Sequence, residues 1–204
     1  MSFANRSDFL AAIACDLGDP DGNVWTPDDL ARHLDHALAD LADAVGAAGS
    51  VDVPATGSDT YDLSDYPEIR QLLAVECPPD ERPPAYLRFH VWGATLRLLD
   101  EAPPTGETLR LHYRGAFTVD DEGSDVPADL AELAVLGARA YALLRQASRT
   151  AGTVNVDGWV SRRYELQAAP LLARFRDALA DLRQSRENPP FCAGQTPSWY
   201  EGTE

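Results

Sequence analysis

Hydrophobic and polar residues alternate through the middle of the chain. The alternation is clearest between residues 107 and 119. There, Leu109, Leu111, Tyr113 and Phe117 are interleaved with Arg110, His112, Arg114 and Thr118. Because successive side chains of a β-strand point to opposite faces, this period of two predicts a half-buried strand.

Shorter segments upstream have the same pattern, at residues 61–63, 73–77, 85–91 and 95–99. Trp92-Gly93 interrupts the alternation, as a tight turn or bulge would. Residues 102–106, Ala-Pro-Pro-Thr-Gly, are typical of a hairpin loop, so segment 95–99 is expected to pair with 107–119. We expect a sheet or small sandwich of roughly four to six antiparallel strands.

Helical periodicity flanks this region on both sides. Thr26 as N-cap, Pro27 at the first helical position and acidic residues after it predict a helix start. An apolar stripe follows at helical spacing, and Gly46 and Gly49 are expected to end the helix. Other helices are predicted at 7–17, from Pro127 onward, and at 161–186, where Pro170 is a candidate kink. The last two helices are expected to pack as an antiparallel pair.

The predicted fold class is therefore α+β, a bundle of about four helices with an inserted antiparallel β-sheet or small sandwich. Residues 1–50 and 121–186 are expected to form one discontinuous helical domain, with 51–120 as the β insertion. Residues 187–204 are expected to form an extended C-terminal tail that contains Phe191, Trp199 and Tyr200. These aromatic residues either fold back on the chain's own domain or act as a docking arm for a partner.

The charge distribution excludes several functions. The net charge is -16, and 17 of the 33 acidic residues lie in residues 1–81 beside only three arginines. Such a surface repels nucleic-acid phosphates. No basic leader and no apolar run of about 18 residues are present, so neither secretion nor membrane spanning is expected. Cys15, Cys77 and Cys192 have no disulfide or zinc-site spacing.

Candidate chemical sites are weak. Asp29, His33, His36 and Asp40 share one helical face, which predicts a solvated polar face with local Asp/His pairing rather than a metal site. Residues 17–28 align poorly with a calcium loop, since the first carboxylate and the final glutamate are missing. We expect no catalytic residue, no metal and no cofactor. A small hydrolase or metal enzyme that uses His33 and His36 stays as an alternative.

A family resemblance rests on short segments spread over roughly residues 25–182. In chain order these are Trp25-Thr26, Tyr61-Asp62-Leu63-Ser64, Ala74-Val75-Glu76-Cys77-Pro78, Pro83-Pro84 to Trp92-Gly93, Leu96-Arg97-Leu98, Leu109-Arg110-Leu111-His112-Tyr113, Val126-Pro127, Gly137-Ala138-Arg139-Ala140-Tyr141-Ala142 and Ala173-Arg174-Phe175-Arg176. In this order the chain resembles the head-to-tail adaptor proteins of tailed bacteriophages.

The resemblance implies a structural virion protein, not an enzyme. It implies a closed ring of about twelve copies in the neck, between the portal and the tail or the next neck protein, after assembly in the host cytoplasm. Packaged double-stranded DNA would pass through without sequence-specific binding. Subunit contacts are expected to use arginines of the last two helices, namely Arg139, Arg145, Arg149, Arg162, Arg163, Arg174 and Arg176. The alternatives are another assembly component, such as a tail completion protein, and an acidic DNA-mimic inhibitor.

Overall fold

The computed structural model describes residues 3–151 and 158–187, and these residues form two compact units. The described residues up to Gly46 and those from Ala116 onward belong to a helical unit, whereas Ala47–Gly115 form a β unit. The fold class is α+β, as predicted.

Four helices form the helical unit: α1 (Arg6–Leu17), α2 (Pro27–Ala44), α3 (Ala128–Ala151) and α4 (Gly158–Glu187). The predicted start of α2 is confirmed, because the Thr26 hydroxyl accepts the backbone N–H of Asp29 and Pro27 is the first helical residue. Asn5 caps α1 in the same way, and Gly18 ends that helix in the left-handed conformation. Helix α4 continues through Pro170.

Helices α3 and α4 pack against each other in opposite directions. The Ser161 hydroxyl, near the start of α4, donates to the carbonyl of Ala147, near the end of α3, at 2.9 Å. Farther along α4, the ring of Phe175 lies against Gly137 of α3. Contacts that move forward along one helix and backward along the other are those of an antiparallel pair, which confirms the prediction.

Seven strands form two antiparallel sheets in the β unit. They are β1 (Ala47–Pro54), β2 (Thr60–Asp62), β3 (Gln71–Glu76), β4 (Tyr86–Leu87), β5 (Phe89–Trp92), β6 (Thr95–Leu98) and β7 (Thr108–Gly115). The strand orders are β1-β7-β3-β4 and β2-β6-β5. One apolar cluster draws on both sheets, including Val75 and Leu111 from the first and Leu96 and Leu98 from the second. The unit is therefore a sandwich.

The expected pairing of segment 95–99 with 107–119 is wrong. Both edges of β7 are occupied, by β1 on one side and β3 on the other, while β6 pairs with β5 and β2. The loop at 102–106 does not close a hairpin. Instead, Gly106 donates to the carbonyl of Ala55 and Ala55 donates to that of Glu107, which continues the pairing between β1 and β7. The turn predicted at Trp92-Gly93 is confirmed, since it joins β5 to β6 with Gly93 at a φ of 59°.

The prediction that Gly49 helps to end a helix is also wrong. Helix α2 ends at Ala44, Gly46 has a φ of 71°, and Gly49 lies within β1, a strand that the sequence did not predict. A Cβ atom on Gly49 would lie 2.7 Å from Cζ of Tyr113 on β7. Glycine is needed there because the tyrosine ring lies across the strand backbone.

Candidate assembly surfaces

The loop between α1 and α2 is organised around one carboxylate. Asp19 accepts the backbone N–H groups of Asn23, Val24 and Trp25 at 2.8, 2.8 and 3.0 Å. These bonds, led by the one from Trp25, lower the pKa of Asp19. The carboxylate thus holds the backbone turn that leads into α2. We call residues 19–28 the acidic loop.

The acidic face of α2 does not form a metal site. His33 is buried, and burial lowers its pKa, so the expectation of a solvated face is wrong at this residue. His36 stacks on the ring of Tyr141 with ring centroids 4.2 Å apart, and the hydroxyl of Tyr141 donates to Asp40. Asp29 is bound to the Thr26 hydroxyl. Within residues 3–151 and 158–187, no group of three or more His, Cys, Asp or Glu side chains is arranged to hold a metal ion.

Three helices meet at Gly137 on α3. A Cβ atom there would lie 2.7 Å from two ring atoms of Phe175 on α4 and 3.0 Å from Cβ of Ala37 on α2. The Phe175 ring also meets the edge of Tyr141, with centroids 6.1 Å apart. This contact fixes α4 against the rest of the helical unit.

The seven arginines proposed for subunit contacts differ in their surroundings. Arg139 reaches Asp16 of α1 at 3.4 Å, so its charge is paired within the chain. Arg145 and Arg149 lie on the last turns of α3, where they act electrostatically on His33 and Asp29. The other four are exposed on α4 and form no ion pair with the described part of the chain: Arg162, Arg163, Arg174 and Arg176. Phe191, Trp199 and Tyr200 lie outside the described residues.

Helix α4 has a second, outward-facing row of apolar residues that the sequence analysis missed. Its inner side buries Ser161, Ala168 and Phe175, which recur every seven residues. A second row with the same spacing faces solvent, and we call it the outer α4 row: Trp159, Leu166, Ala173 and Ala180. Trp159 is 63% exposed and Leu166 is 62% exposed. The heptad spacing that starts at Trp159 could have predicted this row from the sequence.

A polar cluster lies on the outer face of the four-stranded sheet of the β unit. Glu76 is buried, and its carboxylate accepts the backbone N–H of Asp80 at 3.0 Å and bonds to Nε2 of His112 at 3.0 Å. Arg110 pairs with Asp52 at 2.8 Å and with Asp80 at 2.6 Å. These bonds hold the connector after β3 against the sheet, which is a structural role.

The β5–β6 turn carries the most exposed large apolar side chain of the β unit's described residues. Trp92 is 80% exposed, and its nearest aromatic neighbour is His90, at a centroid distance of 6.4 Å. Because tryptophan is enriched at the centres of protein interfaces, Trp92 is a candidate contact point.

Together, these features give the described chain exposed large apolar side chains and a well-ordered acidic loop. No helix in the described ranges is both long and apolar enough to cross a membrane. The sequence model of the SU10 adaptor protein family matches residues 4–194, so the chain belongs to that family. The predicted resemblance to phage head-to-tail adaptors is thereby confirmed at the level of the family.

Comparison with solved structures gives distant neighbours. One is a chain in the neck of a native GTA particle computed with C12 symmetry, with 14% identity and a TM-score of 0.28 over 76% of this chain and 89% of that chain. Another is in the neck of an empty GTA particle computed with C6 symmetry, with 15% identity and a TM-score of 0.29 over 76% and 91% of the two chains. No curated protein matches the chain.

Proposed function

We propose that this chain is a structural head-to-tail adaptor that joins the portal of a tailed phage or phage-like particle to the tail or to the next neck protein. The observation that carries the proposal is the family match over residues 4–194, nearly the whole chain.

In this role the chain assembles as a closed ring of about twelve copies around the path of the packaged DNA. The net charge of -16 on each copy supports such a path. DNA binds tightly where cationic side chains release its counterions, and an acidic wall offers none of that gain. Double-stranded DNA would therefore slide past the ring without adhering to it.

Deletion of the gene, followed by complementation, tests this role. Without the protein, cells should accumulate DNA-filled heads and separate tails, because neither part is altered and only their junction is missing. Wild-type protein supplied in trans should restore joined particles, as counted by negative-stain electron microscopy. Normal numbers of infectious tailed particles in the deletion strain would contradict the proposal.

A further inference from the structure

In the described chain, one face of α4 is buried and the opposite face is exposed to solvent. The inner face packs on the helical unit through Phe175 and Leu179, both buried. The outer α4 row faces solvent along the helix and includes two large apolar side chains, Trp159 and Leu166, that are more than half exposed. A row of this length with heptad spacing is the kind of surface that packs against another chain.

Basic residues border the outer α4 row. Arg162 and Arg163 lie between Trp159 and Leu166 along the helix, and both are exposed without an ion-pair partner in the described ranges. Over residues 158–176, α4 has four arginines and one acidic residue, Glu165. The surface is therefore apolar in the middle and positively charged at its sides, so it fits a partner that is apolar and acidic.

The acidic loop of the same protein is both apolar and acidic, as such a partner must be. Asp21 and Asp28 are exposed and form no ion pair with the described residues, and Val24 between them is 39% exposed. Asp19 fixes the loop backbone through its three N–H bonds, so these side chains are presented by a defined turn. An apolar residue flanked by carboxylates complements an apolar row flanked by arginines.

We propose that the outer α4 row of one copy binds the acidic loop of a second copy. This inference rests on the proposed adaptor role, because the contact would be the interface between neighbouring subunits of the ring. The loop meets the inner side of its own α4, where Trp25 contacts Tyr164 edge-to-face at 6.3 Å, so the two surfaces lie on different sides of the helical unit. A contact between two different patches is heterologous and can repeat around a closed ring.

Charge reversal and charge exchange in the purified full-length protein test the contact. Arg162→Glu should weaken self-association at least about tenfold in sedimentation velocity, because it places like charges across the contact. Asp28→Arg should do the same, whereas the double variant should recover most of the association. Arg82→Glu is the matched control, since it makes the same change at an exposed position of the β unit, outside both proposed surfaces. Far-UV circular dichroism verifies that each variant is folded.

Cysteine cross-linking in assembled particles gives a second readout. Leu166→Cys combined with Val24→Cys, in a background with Cys15→Ser and Cys192→Ser, should yield a ladder of disulfide-linked oligomers on a non-reducing gel. Either substitution alone should yield no ladder. Self-association that is unchanged by Arg162→Glu, or particles that contain the double-cysteine protein without cross-linked oligomers, would overturn the proposal. Neither result bears on the adaptor role, which the deletion experiment decides.

Discussion

The close approach of three helices at Gly137 makes the substitution Gly137→Ala a sharp test of the helical packing. In an isolated helix this change is favourable by about 1 kcal/mol, since alanine has the higher helix propensity. In this protein the new methyl group would lie 2.7 Å from Cε2 and Cζ of Phe175, well inside the 3.4 Å at which ordinary contact begins.

The steric cost outweighs the helix propensity. Phe175 is fully buried and Ala37 closes the other side, so the ring has little room to move away. Overpacking of this kind costs about 1–3 kcal/mol beyond what relaxation recovers. After the helix-propensity gain of about 1 kcal/mol is subtracted, we expect Gly137→Ala to lower the free energy of unfolding by up to about 2 kcal/mol, and the melting temperature by up to about 8 °C for a chain of this size.

Urea unfolding followed by circular dichroism at 222 nm measures this effect on the helices. Gly158→Ala is the matched control, because its added Cβ would meet no atom within 4 Å among the described residues beyond its chain neighbours and its own helix backbone, and it should change the free energy of unfolding by less than about 0.5 kcal/mol. In a Phe175→Leu background, Gly137→Ala should become neutral or stabilising, since the opposing ring atoms are gone. If Gly137→Ala stabilised the protein in the wild-type background, the packing described for the three helices would be wrong.

Three further predictions concern polar groups. Because backbone N–H donors lower the pKa of Asp19, its charge-dependent stabilisation is present above the ordinary pKa of about 3.9 and is lost as pH falls through the native pKa. The stability deficit of Asp19→Asn, measured by thermal melting, should therefore be smaller at pH 3 than at pH 7, and an equal deficit would contradict this assignment. Glu76→Ala should cost about 1–3 kcal/mol in urea unfolding because the backbone N–H of Asp80 and Nε2 of His112 lose their bonds to a buried carboxylate, whereas the exposed control Glu101→Ala should be nearly silent. Burial, and then the bond to a carboxylate, raise the pKa of Tyr141 to about 12, so Tyr141→Phe should remove the most alkaline component of the ultraviolet tyrosine titration; an unchanged titration would refute it.

The helices were largely predictable because their signals are local. The cap at Thr26, the proline that follows it and the apolar spacing of α2 all lie within a few turns of one another. The antiparallel pairing of α3 and α4 could also be predicted from apolar faces separated by a short connection. Burial of His33 could not, because it depends on neighbouring helices that cover one side of α2.

Strand pairing was harder to predict because it depends on distant segments. β1 has few large apolar residues, and Gly49 within it is explained only by the Tyr113 ring of β7. The loop at 102–106 has hairpin residues, yet it connects strands of different sheets. Strand β6 cannot pair with β7 because β1 and β3 already occupy the two edges of β7. Local composition indicates a turn but does not show whether the two strands that flank it pair with each other.

The candidate surfaces were also only partly predictable from the sequence. The sequence identified the arginines of α4, but it did not show that Arg139 is already paired with Asp16. The outer α4 row was within reach of sequence reasoning, because Trp159 and Leu166 are seven residues apart, but its exposure follows only once Phe175 is known to face the core.

The most direct test of the central claim is a cryo-electron microscopy reconstruction of the neck of particles made by the genome that encodes this chain. The account predicts that the chain forms a closed ring between the portal and the tail, with its acidic residues around the DNA path. A neck reconstructed at side-chain detail in which this chain occupies no density would contradict the account.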